Sequence, residues 1–157
     1  MNPIETDQLS RRFRRTEAVH DLTFSVEAGS VHALLGPNGA GKTTTLRLLL
    51  NLLAPTSGAA HVFGVAAARL GGREYQRIGY VAEGQALPLW MTVRQFLDFC
   101  RPLYLQWDLA FEKRLLSDFA LPEDRRLAHL SRGMQMKARL LVRGRSKCTT
   151  FEGLIAH

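Results

Sequence analysis

The sequence predicts an α/β fold in which a mixed β-sheet core carries a glycine-rich loop and is followed by a smaller helical part. Three observations predict it. The apolar run Val31-His32-Ala33-Leu34-Leu35 meets the stretch Gly36-Pro37-Asn38-Gly39-Ala40-Gly41-Lys42-Thr43-Thr44, after which Leu46, Leu49, Leu50 and Leu53 recur at helical spacing. Before this unit, apolar and polar residues alternate as they do in half-buried strands. From Thr92 onward, capping residues and apolar periodicity are those of helices.

In chain order, Ile4 to Leu9 reads as a first strand. Leu22 to Val26 reads as a second, because Leu22, Phe24 and Val26 alternate with Thr23 and Ser25. Glu27-Ala28-Gly29-Ser30 turns the chain into Val31–Leu35, a short apolar run with the character of a buried strand. A helix is expected from about Gly41 to Leu53, ending before Pro55, and Thr56-Ser57-Gly58 has turn chemistry. Gly58 to Gly64 suggests a further strand around His61-Val62-Phe63. After the break at Gly71-Gly72, Arg77-Ile78-Gly79-Tyr80-Val81 suggests another.

Thr92 with Gln95 three residues on is a capping box, and Val93, Phe96, Leu97 and Cys100 then share one helix face. A second helix is expected after Asp108, with Phe111, Leu115 and Phe119 on one side, stopping before Pro122. A third begins after Ser131, a good N-cap, and includes Ala138, Leu140 and Leu141. The organisation is therefore 1–91 as an α/β core, 92–142 as a helical part and 143–157 as a tail.

At 157 residues the chain has the length of one ordinary domain, and 46% apolar with 22% charged residues is a globular composition. No apolar run reaches bilayer length, and the N-terminus lacks the layout of a secretory signal. Cys100 and Cys148 form no metal or disulfide framework, and Cys100 is expected in a core. The net charge of +7 comes mainly from Arg11-Arg12-Phe13-Arg14-Arg15 and from the eight Lys or Arg between Arg125 and Lys147. A solvated basic face that also attracts polyphosphate accounts for it. Nucleic-acid binding is the less favoured reading, because no nucleic-acid motif accompanies the charge.

The stretch Gly36–Thr44 fits G-x-x-x-x-G-K-[ST], and a strand before it with a helix after it is the context its chemistry needs. Aligned backbone N–H groups and a helix N-terminus make a cradle for polyphosphate. Gly36, Gly39 and Gly41 let the backbone curl without a Cβ. Lys42 would reach the β- and γ-phosphates, and the Thr43 hydroxyl would ligate Mg²⁺.

From Ile4 to Val142 the chain resembles the ATP-binding subunit of an ABC transporter. The segment Asp21 to Gly29, the phosphate loop (Walker A) at Gly36–Thr44 and Leu130-Ser131-Arg132-Gly133-Met134, similar to the family's Leu-Ser-Gly-Gly-Gln signature, stand in the family's order. The resemblance implies a P-loop NTPase of the ABC ATPase type, incomplete at the C-terminus, with ATP and Mg²⁺ as ligands. It implies nucleotide contacts from Gly36, Pro37, Asn38, Gly39, Ala40, Gly41, Lys42, Thr43 and Thr44. Phe13 stands where the family stacks an aromatic on adenine; an apolar plug among arginines is the plainer reading. Glu83 falls at the family's Q-loop position, with a role toward Mg²⁺ or attacking water, and Gln85 is the alternative. Ser131 and Gly133 would face the γ-phosphate of ATP held by an opposite subunit, while Ser131 also serves as an ordinary helix cap. The implied partners are a membrane-spanning subunit and a second ATP-binding subunit, as homodimer or heterodimer, and the implied location is the cytoplasmic face of the cell membrane. Arg132 and Met134 in the signature, and the run Pro88 to Val93, lean toward export.

The resemblance stops after Val142. The family continues with an apolar strand ending in Asp-Glu, the Walker B motif, whose Glu polarises the attacking water; no such residue pair follows here. Residues 143–157 are expected to hold no strand, and Glu152 and His157 lack the context of a catalytic base and switch. Their composition suits an out-of-frame or pseudogene tail better than a purposeful short form, and the chain as it stands is expected to bind ATP without hydrolysing it.

Overall fold

A computed structural model of the chain describes residues 2–81, 86–104, 107–143 and 154–155. The chain forms two compact units, Met1–Ile78 and Gly79–Ile155.

In the first unit β1 (Ile4–Phe13) and β2 (Thr16–Val26) form a long antiparallel hairpin. With β3 (Ser57–Val62) and β4 (Val65–Ala66) they make an antiparallel sheet in the order β2-β1-β3-β4. The expected alternation in β2 is present: Val26 is buried and Leu22 and Phe24 are half-buried, whereas Thr23 and Ser25 are exposed. Both strands run several residues further than their apolar patterns indicate, because the pairing from Arg11↔Val19 to Phe13↔Thr16 is carried by the backbone. Gly58 permits the tight β3–β1 approach. Its φ is +75°, and a Cβ there would lie 2.1 Å from the Gln8 carbonyl oxygen.

Helix α1 (Lys42–Leu49) packs on β2 and β3, burying Thr45, Leu46, Leu48 and Leu49. Each buried leucine contributes roughly 1.5–3 kcal/mol of transfer free energy. The short helix α2 (Gly72–Tyr75) is fastened to the end of α1 by the Tyr75 hydroxyl, which donates to the Leu50 carbonyl at 2.9 Å.

Three expectations fail in this unit. The helix expected to reach Leu53 ends at Leu49, and Ser57 and Gly58, expected in a turn, open β3. The strand before the glycine loop is also missing. Val31–Leu35 is not a strand: residues 31–35 carry no ladder and are exposed, Val31 at 97% and Leu35 at 90%. Apolar composition favours a buried strand only where neighbours exist to bond both rows of N–H and C=O groups. Among the described residues no strand runs beside this segment.

The second unit is mainly helical: α3 (Val93–Cys100), α4 (Leu109–Asp118) and α5 (Arg132–Arg143). Its core joins Met91, Val93, Leu97, Cys100, Leu116, Leu121, Leu127, Leu130, Ala138, Leu141 and Val142. The Thr92–Gln95 capping box forms in both directions: Gln95 N donates to Thr92 Oγ1 at 3.2 Å, and Thr92 N donates to Gln95 Oε1 at 2.9 Å. Asp108 caps α4 through its carboxylate, which accepts from Phe111 N. The buried residues of α4 are Glu112 and Leu116, whereas Phe111, Leu115 and Phe119 are half-buried. Glu112 is tolerated inside because the Arg101 guanidinium and the Trp107 indole N–H donate to its carboxylate.

The unit also holds a parallel pair, β5 (Tyr80–Val81) with β6 (Leu154–Ile155). The tail, expected to hold no strand, thus contributes a two-residue one. Leu154-Ile155 has the β-propensity for it, but a run so short gives no alternation to read.

Candidate nucleotide site

The loop between residues 36 and 42 is shaped by its backbone. Ala40 N donates to the Pro37 carbonyl at 3.2 Å, closing a turn, and Gly39 and Gly41 have φ of +88° and +84°. Gly41 is the N-cap of α1, and no side chain caps that helix end. The first intrahelical bond runs from Thr45 N to the Gly41 carbonyl at 2.8 Å, so the N–H groups of Lys42, Thr43 and Thr44 have no intrahelical acceptor. The first turn contains no acidic residue. The positive end of the helix dipole is therefore left for an anion.

Lys42 lies over this concavity. Its Nζ donates to the Gly36 carbonyl at 2.7 Å and the Pro37 carbonyl at 3.0 Å. Thr43 is exposed, with its hydroxyl free to meet a ligand, whereas Thr45 is buried and donates its hydroxyl to the Gly41 carbonyl at 3.1 Å. Thr45 thus has a fastening role that the glycine pattern does not reveal. Gly41 itself abuts β2, where a Cβ would lie 2.1 Å from the Ala18 carbonyl oxygen.

That contact brings the hairpin tip toward the loop. The closing pair Phe13↔Thr16 is two residues along β2 from Ala18, roughly 7 Å at strand rise. Phe13 is 42% exposed, with the Arg11 guanidinium 4.7 Å from its ring centroid. Sequence patterning gave no reason to single out Arg11.

The signature residues belong to the second unit. Ser131 Oγ accepts from Met134 N at 3.2 Å, which is the expected cap of α5. Ser131 and Gly133 are both exposed, and among the described residues nothing beyond the chain neighbours and the helix's own backbone lies within 4 Å of where a Gly133 Cβ would be. Glu83 and Gln85 lie outside the described residues.

A glycine turn, an uncapped helix N-terminus and a lysine beside it are the parts of a P-loop phosphate cradle. The comparisons with known proteins give the particular family. The family model for the ABC transporter matches residues 19–145, and the chain belongs to that family. The Nod factor export ATP-binding protein I of Burkholderia lata is 38% identical over 144 residues, covering 88% of this chain and 47% of that protein. The sulfate/thiosulfate import ATP-binding protein CysA of Synechococcus elongatus is 42% identical over 96 residues, covering 61% of this chain and 28% of that protein. A solved structure described as the ATP binding subunit of an ABC transporter superposes with a TM-score of 0.75 at 29% identity, over 89% of this chain and 60% of that one. The chain thus spans less than half the length of these two curated relatives.

Proposed function

We propose that this chain binds ATP with Mg²⁺ at Gly36–Thr44 and serves as an ATP-binding subunit that energises transport through a separate membrane-spanning subunit. The observation that carries the reading is the uncapped start of α1 beneath Lys42. Nζ now bonds two loop carbonyls, and a bound polyphosphate would draw it from the Gly36 and Pro37 oxygens. The residues present fit the nucleotide. Three first-turn N–H groups and the Lys42 ammonium offer donors, and exposed Thr43 offers a hydroxyl for the metal. Among the described residues no group of three His, Cys, Asp or Glu side chains could hold a metal alone. Mg²⁺ would therefore be held jointly by Thr43 and the phosphates, with Glu83 as a further ligand, and it supplies charge neutralisation there.

Phe13 stacks on the adenine, and its partial exposure beside the loop supports this. Ser131 and Gly133 meet the γ-phosphate of a nucleotide on a second ATP-binding subunit, supported by their exposure at the α5 N-terminus. The transport direction we favour is export, in line with the Nod factor export relative, although the CysA relative is named for import. Among the described residues no helix is long and apolar enough to cross a membrane, which suits a subunit held at the cytoplasmic face by its partner. For the 157-residue chain by itself we propose binding without turnover.

The test is a paired measurement on the 157-residue chain: binding of Mg-ATP by calorimetry and release of phosphate. Saturable binding without phosphate release agrees with the reading. Absence of saturable binding overturns the site, and steady phosphate release overturns the expectation of no turnover.

A further inference from the structure

Resting on the reading of Phe13 as the surface that takes the base, we infer that Arg11 is a positioning residue for that stack and determines how much the base contributes to nucleotide affinity. Its guanidinium lies 4.7 Å from the Phe13 ring centroid, so a cation covers one face of the ring. Phe13 is 42% exposed, and the face away from Arg11 is the one assigned to a flat ligand.

The cation is itself held. Arg11 Nη1 donates to the Ala54 carbonyl at 2.8 Å, and its buried Nε has no hydrogen-bond partner among the described residues. The segment around Ala54 is in turn fixed to β1. Thr56 N donates to the Ser10 carbonyl at 2.8 Å, and Arg12 N donates to Thr56 Oγ1 at 3.0 Å. This segment follows shortly after α1, the helix whose N-terminus faces the phosphates. One guanidinium therefore links the chain leaving the phosphate helix to the aromatic ring at the hairpin tip.

Two consequences follow. The stack limits Phe13 to one free face and one orientation, which lowers the entropy lost when a base lands on it. A cation against the rear face also draws on the ring's negative quadrupole, which makes the free face a better partner for an electron-rich purine. Arg11 then acts on the base through Phe13 and makes no contact with phosphate.

The experiment compares dissociation constants of the 157-residue chain for ATP and for inorganic tripolyphosphate, which lacks base and sugar. It uses Arg11→Gln, Phe13→Ala and the double variant. Phe13→Ala is expected to weaken ATP about tenfold and leave tripolyphosphate unchanged. Arg11→Gln is expected to weaken ATP about threefold, again with tripolyphosphate unchanged. The double variant should match Phe13→Ala alone. An unfolded variant would lose both ligands, so unchanged tripolyphosphate binding shows that the loop survives. If Phe13→Ala leaves ATP affinity intact, the base-stacking reading fails. If Phe13→Ala weakens ATP but Arg11→Gln does not, the role of Arg11 alone is overturned. It is overturned equally if the two losses multiply in the double variant, or if Arg11→Gln weakens tripolyphosphate as much as ATP.

Discussion

Replacing Gly41 by alanine should be far more damaging than replacing Gly39, although both glycines sit in the same loop with nearly the same φ. Gly39 has φ +88° and open space where a Cβ would go, so Gly39→Ala meets only the left-handed backbone penalty, roughly 1–2 kcal/mol. Gly41 has φ +84° and the same penalty, but its Cβ would lie 2.1 Å from the Ala18 carbonyl and 3.3 Å from Val19 Cγ2. The obstacle is β2 backbone at an irregularity between the paired residues Glu17 and Val19, and backbone held on both sides cannot swing aside as a side-chain end can. Relieving such overpacking adds roughly 1–3 kcal/mol. The difference between the variants is therefore about 2 kcal/mol, or roughly 4–8 °C in Tm for a chain of this size. Thermal unfolding by circular dichroism measures it, and amide hydrogen exchange on α1 should show faster opening in Gly41→Ala. Equal melting temperatures for the two variants would refute the packing of the loop against β2.

Further outcomes are expected elsewhere. Glu112→Ala should destabilise the second unit by about 1–2 kcal/mol, because the Trp107 N–H loses its acceptor and the Arg101 guanidinium is left with Asp98 alone among its carboxylate partners. The double variant Arg101→Met/Glu112→Leu should recover most of that loss in urea unfolding. Thr92→Ala should cost about 1 kcal/mol through loss of the α3 cap, read by the same unfolding curves. His20 should titrate above the usual histidine value of 6.5, because its ring bonds the Glu17 carboxylate and feels the charges of Glu17 and Asp21. The stabilisation from this raised pKa is complete below the unfolded value and fades as pH rises through the folded one. An NMR titration should place the His20 midpoint above that of Glu17→Gln; coincident midpoints would remove the pair.

What the sequence discloses depends on whether the determining physics is local. The Thr92–Gln95 box and the Ser131 cap form within one helical turn, and both are present as read. The α3 face was legible because Val93, Leu97 and Cys100 obey helical spacing and enter one core. Glu112 breaks the same logic. Its burial depends on Arg101 and Trp107, and no periodicity marks a carboxylate for the interior. Val31–Leu35 fails for a related reason, since pairing is a property of two segments and only one can be read from that run. The phosphate loop was legible as a pattern, because glycines at fixed offsets before Lys42 answer to backbone geometry. The supports around it were not: Ala18 acts through a carbonyl that any residue carries, and Arg11 looked like one charge in a basic cluster.

Titration of the chain and of Lys42→Ala with Mg-ATP tests the proposed site most directly. Among the described residues Lys42 Nζ meets the Gly36 and Pro37 carbonyls alone, so its removal should leave the melting temperature within about 2 °C while abolishing saturable ATP binding. Undiminished ATP binding by a folded Lys42→Ala chain would contradict the assignment of Gly36–Thr44 as the nucleotide cradle.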